Sequence, residues 1–167
     1  MSFSNRSPVA TNEFGDGTEV VSDLIQRSAQ GNAALMLGDI GRYNELVPFA
    51  DDFTLMSPFG GTPSRASDYT PERMEAMGRF FRNGTFEQEV VQTYTCADVV
   101  VLAIIERANV EVGGLPAQNW ALRVTLVYRR DELGWRLVHR HADPLANGIT
   151  REQAAVLGRG DMASLSG

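Results

Sequence analysis

The chain has 167 residues, 43% hydrophobic and 22% charged, which suits one globular domain with a real core and excludes a disordered or low-complexity polymer. A formal charge of -6 argues against a general affinity for nucleic acid, and a single cysteine, Cys96, excludes an internal disulfide scaffold and fits a reducing, cytoplasmic setting. The longest apolar run, residues 99–105, stops at Glu106 and Arg107 and is too short to cross a bilayer, and Arg6 lacks the apolar stretch of a secretory leader, so no membrane partner is expected.

Residues 1–17 are rich in Ser, Asn, Thr and Gly without periodicity and read as a flexible N-terminal arm. From Thr18 to Leu37 apolar residues recur every three or four positions, which stacks them along one side of a helix. Gly31 weakens that helix by about 1 kcal/mol relative to alanine without ending it. Gly38 and Asp39 form a break, with Asp39 suited to cap a short helix from Ile40 to about Val47, closed by Pro48. Residues 51–57 alternate as a strand with Phe53, Leu55 and Ser57 on one face. A Gly, Pro and Ser-rich connection, residues 59–71, ends in Thr70-Pro71-Glu72-Arg73, a capping residue followed by a first-turn proline and acid. The helix that follows carries Met74, Met77, Phe80 and Phe81 and stops near Asn83-Gly84.

Residues 86–95, 99–112, 120–129 and 135–141 have strand character and are separated by turn material too short for parallel crossovers, so antiparallel neighbours are expected. Helices collected early and strands late give an α+β domain with the N-terminal helices on one face of the sheet. Thr150 and Gln153 form a capping box that opens a short helix in a C-terminal helical extension, residues 146–167, beyond a main domain at 18–145.

The last hairpin carries the candidate chemistry. A three-residue turn at 131–133 sets Thr125 opposite His139 and Arg123 opposite His141, so these four share a face as the wall of a pocket. As a catalytic set His139 transfers a proton near neutral pH, His141 orients or shares it, and Arg123 or Thr125 stabilises oxygen charge; a structural pair and a metal site are the competing readings. Two histidines on one strand without a third ligand do not define a metal site, and no Gly-rich, P-loop or nucleophile-elbow motif calls for a cofactor. Behind this wall the row of Trp120, Leu122, Val124, Leu126 and Tyr128 needs a cover, for which a second subunit is the economical answer: a homodimer through the outer sheet face. Glu106 interrupts an apolar strand and requires an arginine partner or a wet cavity. Tyr43, Phe53, Ser57, Trp120 and Thr125 complete the candidate lining for a small organic ligand. Arg129, Arg130, Arg136 and Arg140 read as solvated, paired charges rather than a nucleic-acid patch.

With this element order, two stretches resemble the nuclear transport factor two-like (cystatin-like) superfamily, specifically its SnoaL-like and ketosteroid-isomerase-like members. They are Gly38-Asp39-Ile40 leading to residues 49–58, and residues 123–130 leading to Gly134-Trp135 and on to Pro144. The second also resembles the end of the association domain of calcium/calmodulin-dependent kinase. The resemblance implies a cone-shaped α+β roll, with helices on a strongly curved, mostly antiparallel sheet, a pocket and pairing through the sheet. In the steroid isomerases the general base is an aspartate just before the strand-ending proline; here Ser57 precedes Pro58, and the oxyanion-hole tyrosine position falls close to Gly31. That departs from the steroid-isomerase mechanism. What remains is isomerase, dehydratase or cyclase chemistry by other groups, or a non-catalytic ligand-binding or oligomerisation module.

Overall fold

The computed structural model describes residues 17–160. Most of the expected N-terminal arm, and the last seven residues of the chain, lie outside that range. Helix α1 spans Gly17–Met36 and turns Leu24, Ser28, Asn32 and Leu35 inward at helical spacing. It ends in a left-handed cap at Gly38, φ +82°: the Gly38 amide donates to the Leu35 carbonyl at 2.9 Å and the Asp39 amide to the Ala34 carbonyl at 2.9 Å. Asp39 then caps α2, Ile40–Leu46, by accepting the Arg42 amide at 3.0 Å.

Strand β1, Phe49–Met56, begins two residues before the alternation suggested, because the Pro48 carbonyl already accepts the Leu137 amide at 2.9 Å. The connection after it contains a two-residue strand β2, Ser64–Arg65, and a 3-10 turn, Ala66–Asp68. Thr70 caps α3, Pro71–Phe80, through the Arg73 amide. The helix stops at Phe80 rather than near Asn83, since Phe80 gives its carbonyl to the Gly113 amide at 2.8 Å and Phe81 enters β3 directly. Strands β3, Phe81–Cys96, β4, Val99–Val112, β5, Leu115–Asp131, and β6, Gly134–Pro144, run as successive antiparallel hairpins, and α4, Arg151–Gly158, follows. The β4–β5 connection is Gly113-Gly114 with φ of +58° and +87°, a turn whose twist matches the strands.

The six strands form one sheet in the order β2-β1-β6-β5-β4-β3, in which β1 runs parallel to β6. The sheet is mostly antiparallel as expected, β1–β6 being its parallel pair, but the expected cone-shaped roll on a strongly curved sheet is corrected. The sheet is open and mixed, its edge strands β2 and β3 do not meet, and it is not strongly curled. The α+β class stands. Helix α1 lies against β3 and β4 at one side of the sheet, and no helix among the described residues is long and apolar enough to cross a membrane.

The core lies between α1 and the inner face of the sheet. Val100, Leu102 and Ile104 of β4, Val124, Leu126 and Tyr128 of β5, and Leu137 and Ala142 of β6 are all buried there. This settles the orientation of the last hairpin. In the row expected to need a second subunit, Val124, Leu126 and Tyr128 are buried in the chain's own core, and Trp120 and Leu122 are half-buried beside it, because burying these large side chains removes more apolar area from water than burying the Arg123 row.

Candidate functional site

The inner face also bounds a cavity of about 490 Å³, closed by α1, α2, α3 and the segment after β1. Two aromatic groups shape it. Phe49 and Phe53 stack at 4.0 Å, and Tyr69 stands edge-on to both at 5.3 and 5.6 Å. Phe59, 57% exposed, stands edge-on to Phe80 and Trp120, each at 5.8 Å, and marks the mouth.

The polar end is an ion pair. Glu106, 4% exposed, projects inward from β4 because it belongs to the even-numbered row of that strand. Arg140 reaches it from β6: Nη1 donates to Oε1 at 2.8 Å and Nη2 to Oε2 at 2.6 Å. Asn32 of α1 donates to the same Oε1 at 3.4 Å and to the Ser28 carbonyl at 3.0 Å, which fixes its amide between helix and carboxylate. Burial alone would depress the Arg140 pKa, but the facing Glu106 carboxylate outweighs it and holds the guanidinium charged. Tyr43 also lines the cavity; burial is the main cause that pushes its hydroxyl up to about 12, so it stays a neutral donor at neutral pH. The Trp120 indole N–H, in the same wall, is buried without a hydrogen-bond partner among the described residues. Among the described residues no three His, Cys, Asp or Glu side chains converge as metal ligands.

Tyr43, Phe53, Ser57, Glu106 and Trp120 therefore meet in one cavity wall, and Thr125, Arg123, His139 and His141 do not. Those four share a face as expected, with a different register: Thr125 faces His141, Arg123 faces Asp143, and Val127 faces His139. A two-residue turn, Glu132-Leu133, shifts the pairing by one position and an irregularity after Val127 shifts it by another, so side-chain alternation is preserved. Their face is the one opposite the helices, which corrects the placement of His139, His141 and Arg123 as a pocket wall. There His139 Nδ1 is hydrogen-bonded to Thr54 Oγ1 at 2.8 Å, and Arg123 Nε donates to Asp143 at 3.0 Å. Of the four arginines expected to be solvated, paired charges, Arg129 pairs with Asp52, Arg130 with Asp98 and Arg136 with Asp51 and Asp131, while Arg140 pairs with Glu106 inside the protein rather than in solvent.

Arg140, Asn32, Arg73 and Phe59 were not foreseen as lining residues. A signal for Arg140 existed: a carboxylate inside an apolar strand demands a cation on the same sheet face, and Arg140 alternates with the two histidines. No local pattern marks the other three.

The model of the SnoaL-like domain family matches residues 26–146. A comparison with curated proteins finds no significant match. Among solved structures, a protein proposed to be a dehydratase of the NTF2-like family from Streptomyces avermitilis is 18% identical over 79% of this chain and 100% of its own, with a TM-score of 0.62. An NTF2-like superfamily protein from Salmonella enterica is 18% identical over 79% and 98%, with a TM-score of 0.61. A proposed calcium/calmodulin-dependent protein kinase type II association domain from Thiobacillus denitrificans is 22% identical over 72% and 93%, with a TM-score of 0.56.

Proposed function

This chain belongs to the SnoaL-like domain family of the NTF2-like, cystatin-like superfamily, and on that premise we propose that its cavity binds a small organic molecule and moves a proton on it. The observation that carries the reading is a buried ion pair at the inner end of a mostly apolar and aromatic cavity. An apolar body packs against Phe49, Phe53 and Tyr69, and a carbonyl or hydroxyl oxygen is directed to the inner end, where Arg140, Tyr43 and Asn32 gather. Arg140 offers donors there beyond the two given to Glu106, and Tyr43 offers a neutral hydroxyl. Glu106 takes a proton from the carbon beside the carbonyl while Arg140 stabilises the oxygen that gains charge, and the Glu106 carboxyl then returns the proton to the enolate or to water, a step that enolate-based isomerisation, dehydration and cyclisation share. Ser57, in place of the steroid-isomerase aspartate, lines the wall without supplying a base.

The experiment uses α-tetralone, an uncharged bicyclic ketone, in deuterated buffer. The protein is expected to speed exchange of the hydrogens beside the carbonyl, and Glu106→Gln to return the rate to that of buffer while the ketone still binds. Saturable binding with no acceleration by the wild type would favour the non-catalytic ligand-binding alternative.

The same proposal takes two copies of the chain to pair through the sheet face opposite the helices. Support comes from the half-buried centre of that face, Val101, Ala103, Ile105 and Val127, framed by the ion pairs Arg107–Glu89 and Arg123–Asp143. Ile105→Glu is expected to convert a dimer to a monomer in light scattering; an unchanged mass would count against this face.

A further inference from the structure

The cavity wall holds three charged side chains: Glu106, Arg140 and Arg73. The first two neutralise each other through a two-point contact. Among the described residues no carboxylate lies within ion-pair distance of Arg73, so the wall carries one positive charge without an acid beside it, in a chain whose formal charge is -6. By contrast, Arg107, Arg123, Arg129 and Arg130 beside the sheet each hold an acid. The acids nearest Arg73 in sequence are engaged elsewhere: Asp68 accepts the Arg65 amide at 2.7 Å, and Glu72 is held chiefly by its own backbone amide and by Thr70.

The Arg73 guanidinium is nevertheless fixed. Its Nη2 donates to Ser64 Oγ at 3.0 Å, and its carbon lies 4.8 Å from the ring centre of Tyr69, the residue that stands edge-on to Phe49 and Phe53. A cation held in place loses less freedom when it pairs with an anion. Arg73 is also the third residue of α3, where the helix dipole disfavours a cation and favours an anion nearby. The fixed guanidinium and the helix end both favour an anion, while the aromatic wall favours an apolar body beside it.

We infer that the molecule this cavity takes is an amphipathic organic acid, its carboxylate paired with Arg73 at the mouth, its apolar body along the aromatic wall and its reacting oxygen at Arg140. The inference rests on the pocket reading above. It narrows the substrate class from small organic molecules to carboxylates of roughly bicyclic size.

Calorimetric titration with β-naphthoate and its methyl ester tests it. Wild-type protein is expected to bind the acid about tenfold more tightly than the ester, the size of one charge-assisted hydrogen bond near a surface, with the preference shrinking as salt is added. Arg73→Gln should weaken the acid about tenfold more than the ester and so abolish the preference, and Arg73→Lys should keep part of it. Equal affinity for acid and ester, or a parallel loss of both in Arg73→Gln, overturns the inference and leaves the pocket reading intact. Failure of both probes to bind the wild type overturns the pocket reading and the inference with it.

Discussion

At the scale of single residues, Glu106 and Arg140 combine a stability role with the proposed chemistry. Removing one partner of a buried pair strands the other, so Glu106→Ala should cost about 3–5 kcal/mol in urea unfolding. Replacing both with apolar side chains, as in Glu106→Leu with Arg140→Met, should recover most of that loss, because two desolvated charges disappear together. If the single variant is as stable as the wild type, the pair is not desolvated as described. Glu106 was legible from sequence as a carboxylate needing a cation. Its partner was not singled out, because strand alternation places Arg140 on a face but does not say which face the helices cover. His139 supplies a pH test. Burial first, then the neighbouring His141, lower its pKa, with Thr54 opposing. The folded state thus holds the proton less tightly than the unfolded chain. This contribution is fully present above the ordinary imidazole range and is lost as pH falls through that range towards the lowered folded value. The urea midpoint should drop between about pH 7.5 and about pH 5.5 by more in the wild type than in His139→Gln; equal drops would contradict it.

At the scale of elements, α1 shows why helix propensity alone misleads. Gly31 reads as a weak point that alanine would strengthen by about 1 kcal/mol. In the fold, a Cβ at Gly31 would stand 2.5 Å from Val47 Cγ2 and 3.4 Å from Leu46 Cβ, so the glycine is where the end of α2 crosses α1. Gly31→Ala is expected to destabilise by about 1–3 kcal/mol, and Val47→Ala in the same chain to relieve part of it; a stabilised Gly31→Ala would show that α2 does not pack there. The last hairpin teaches a related lesson. Its four polar residues kept a common face because two one-residue differences, at the turn and after Val127, run in the same direction. Periodicity made the strands and their alternation readable, whereas turn length and irregularities depend on backbone geometry that leaves little trace in composition. The caps at Asp39, Thr70 and Thr150 were readable because side-chain oxygens at those positions satisfy amides their own helices leave open.

At the scale of the whole molecule, the α+β class followed from the order of helices and strands, while the shape of the sheet did not. The parallel pairing of β1 with β6 joins elements about 85 residues apart, as in the contact between Thr54 and His139. Local patterns carry no information about such a partner, and an open mixed sheet and a curled antiparallel one share the same alternation. Once the sheet's inner face is fixed, the site follows from it: the apolar row of β5 goes under the helices, Glu106 and Arg140 go with it, and the histidines go to the other side. The central claim is that the space enclosed there receives a ligand, and the two tryptophans report on it directly. Trp120 lines the cavity with an indole N–H that has no partner among the described residues, whereas Trp135 does not line it and lies beside Arg130 near the end of the β5–β6 hairpin. In a nitrogen–proton correlation spectrum recorded during titration with α-tetralone, the Trp120 indole resonance should move to saturation while that of Trp135 stays in place. An unmoved Trp120 resonance, or both resonances drifting together without saturation, would contradict the account.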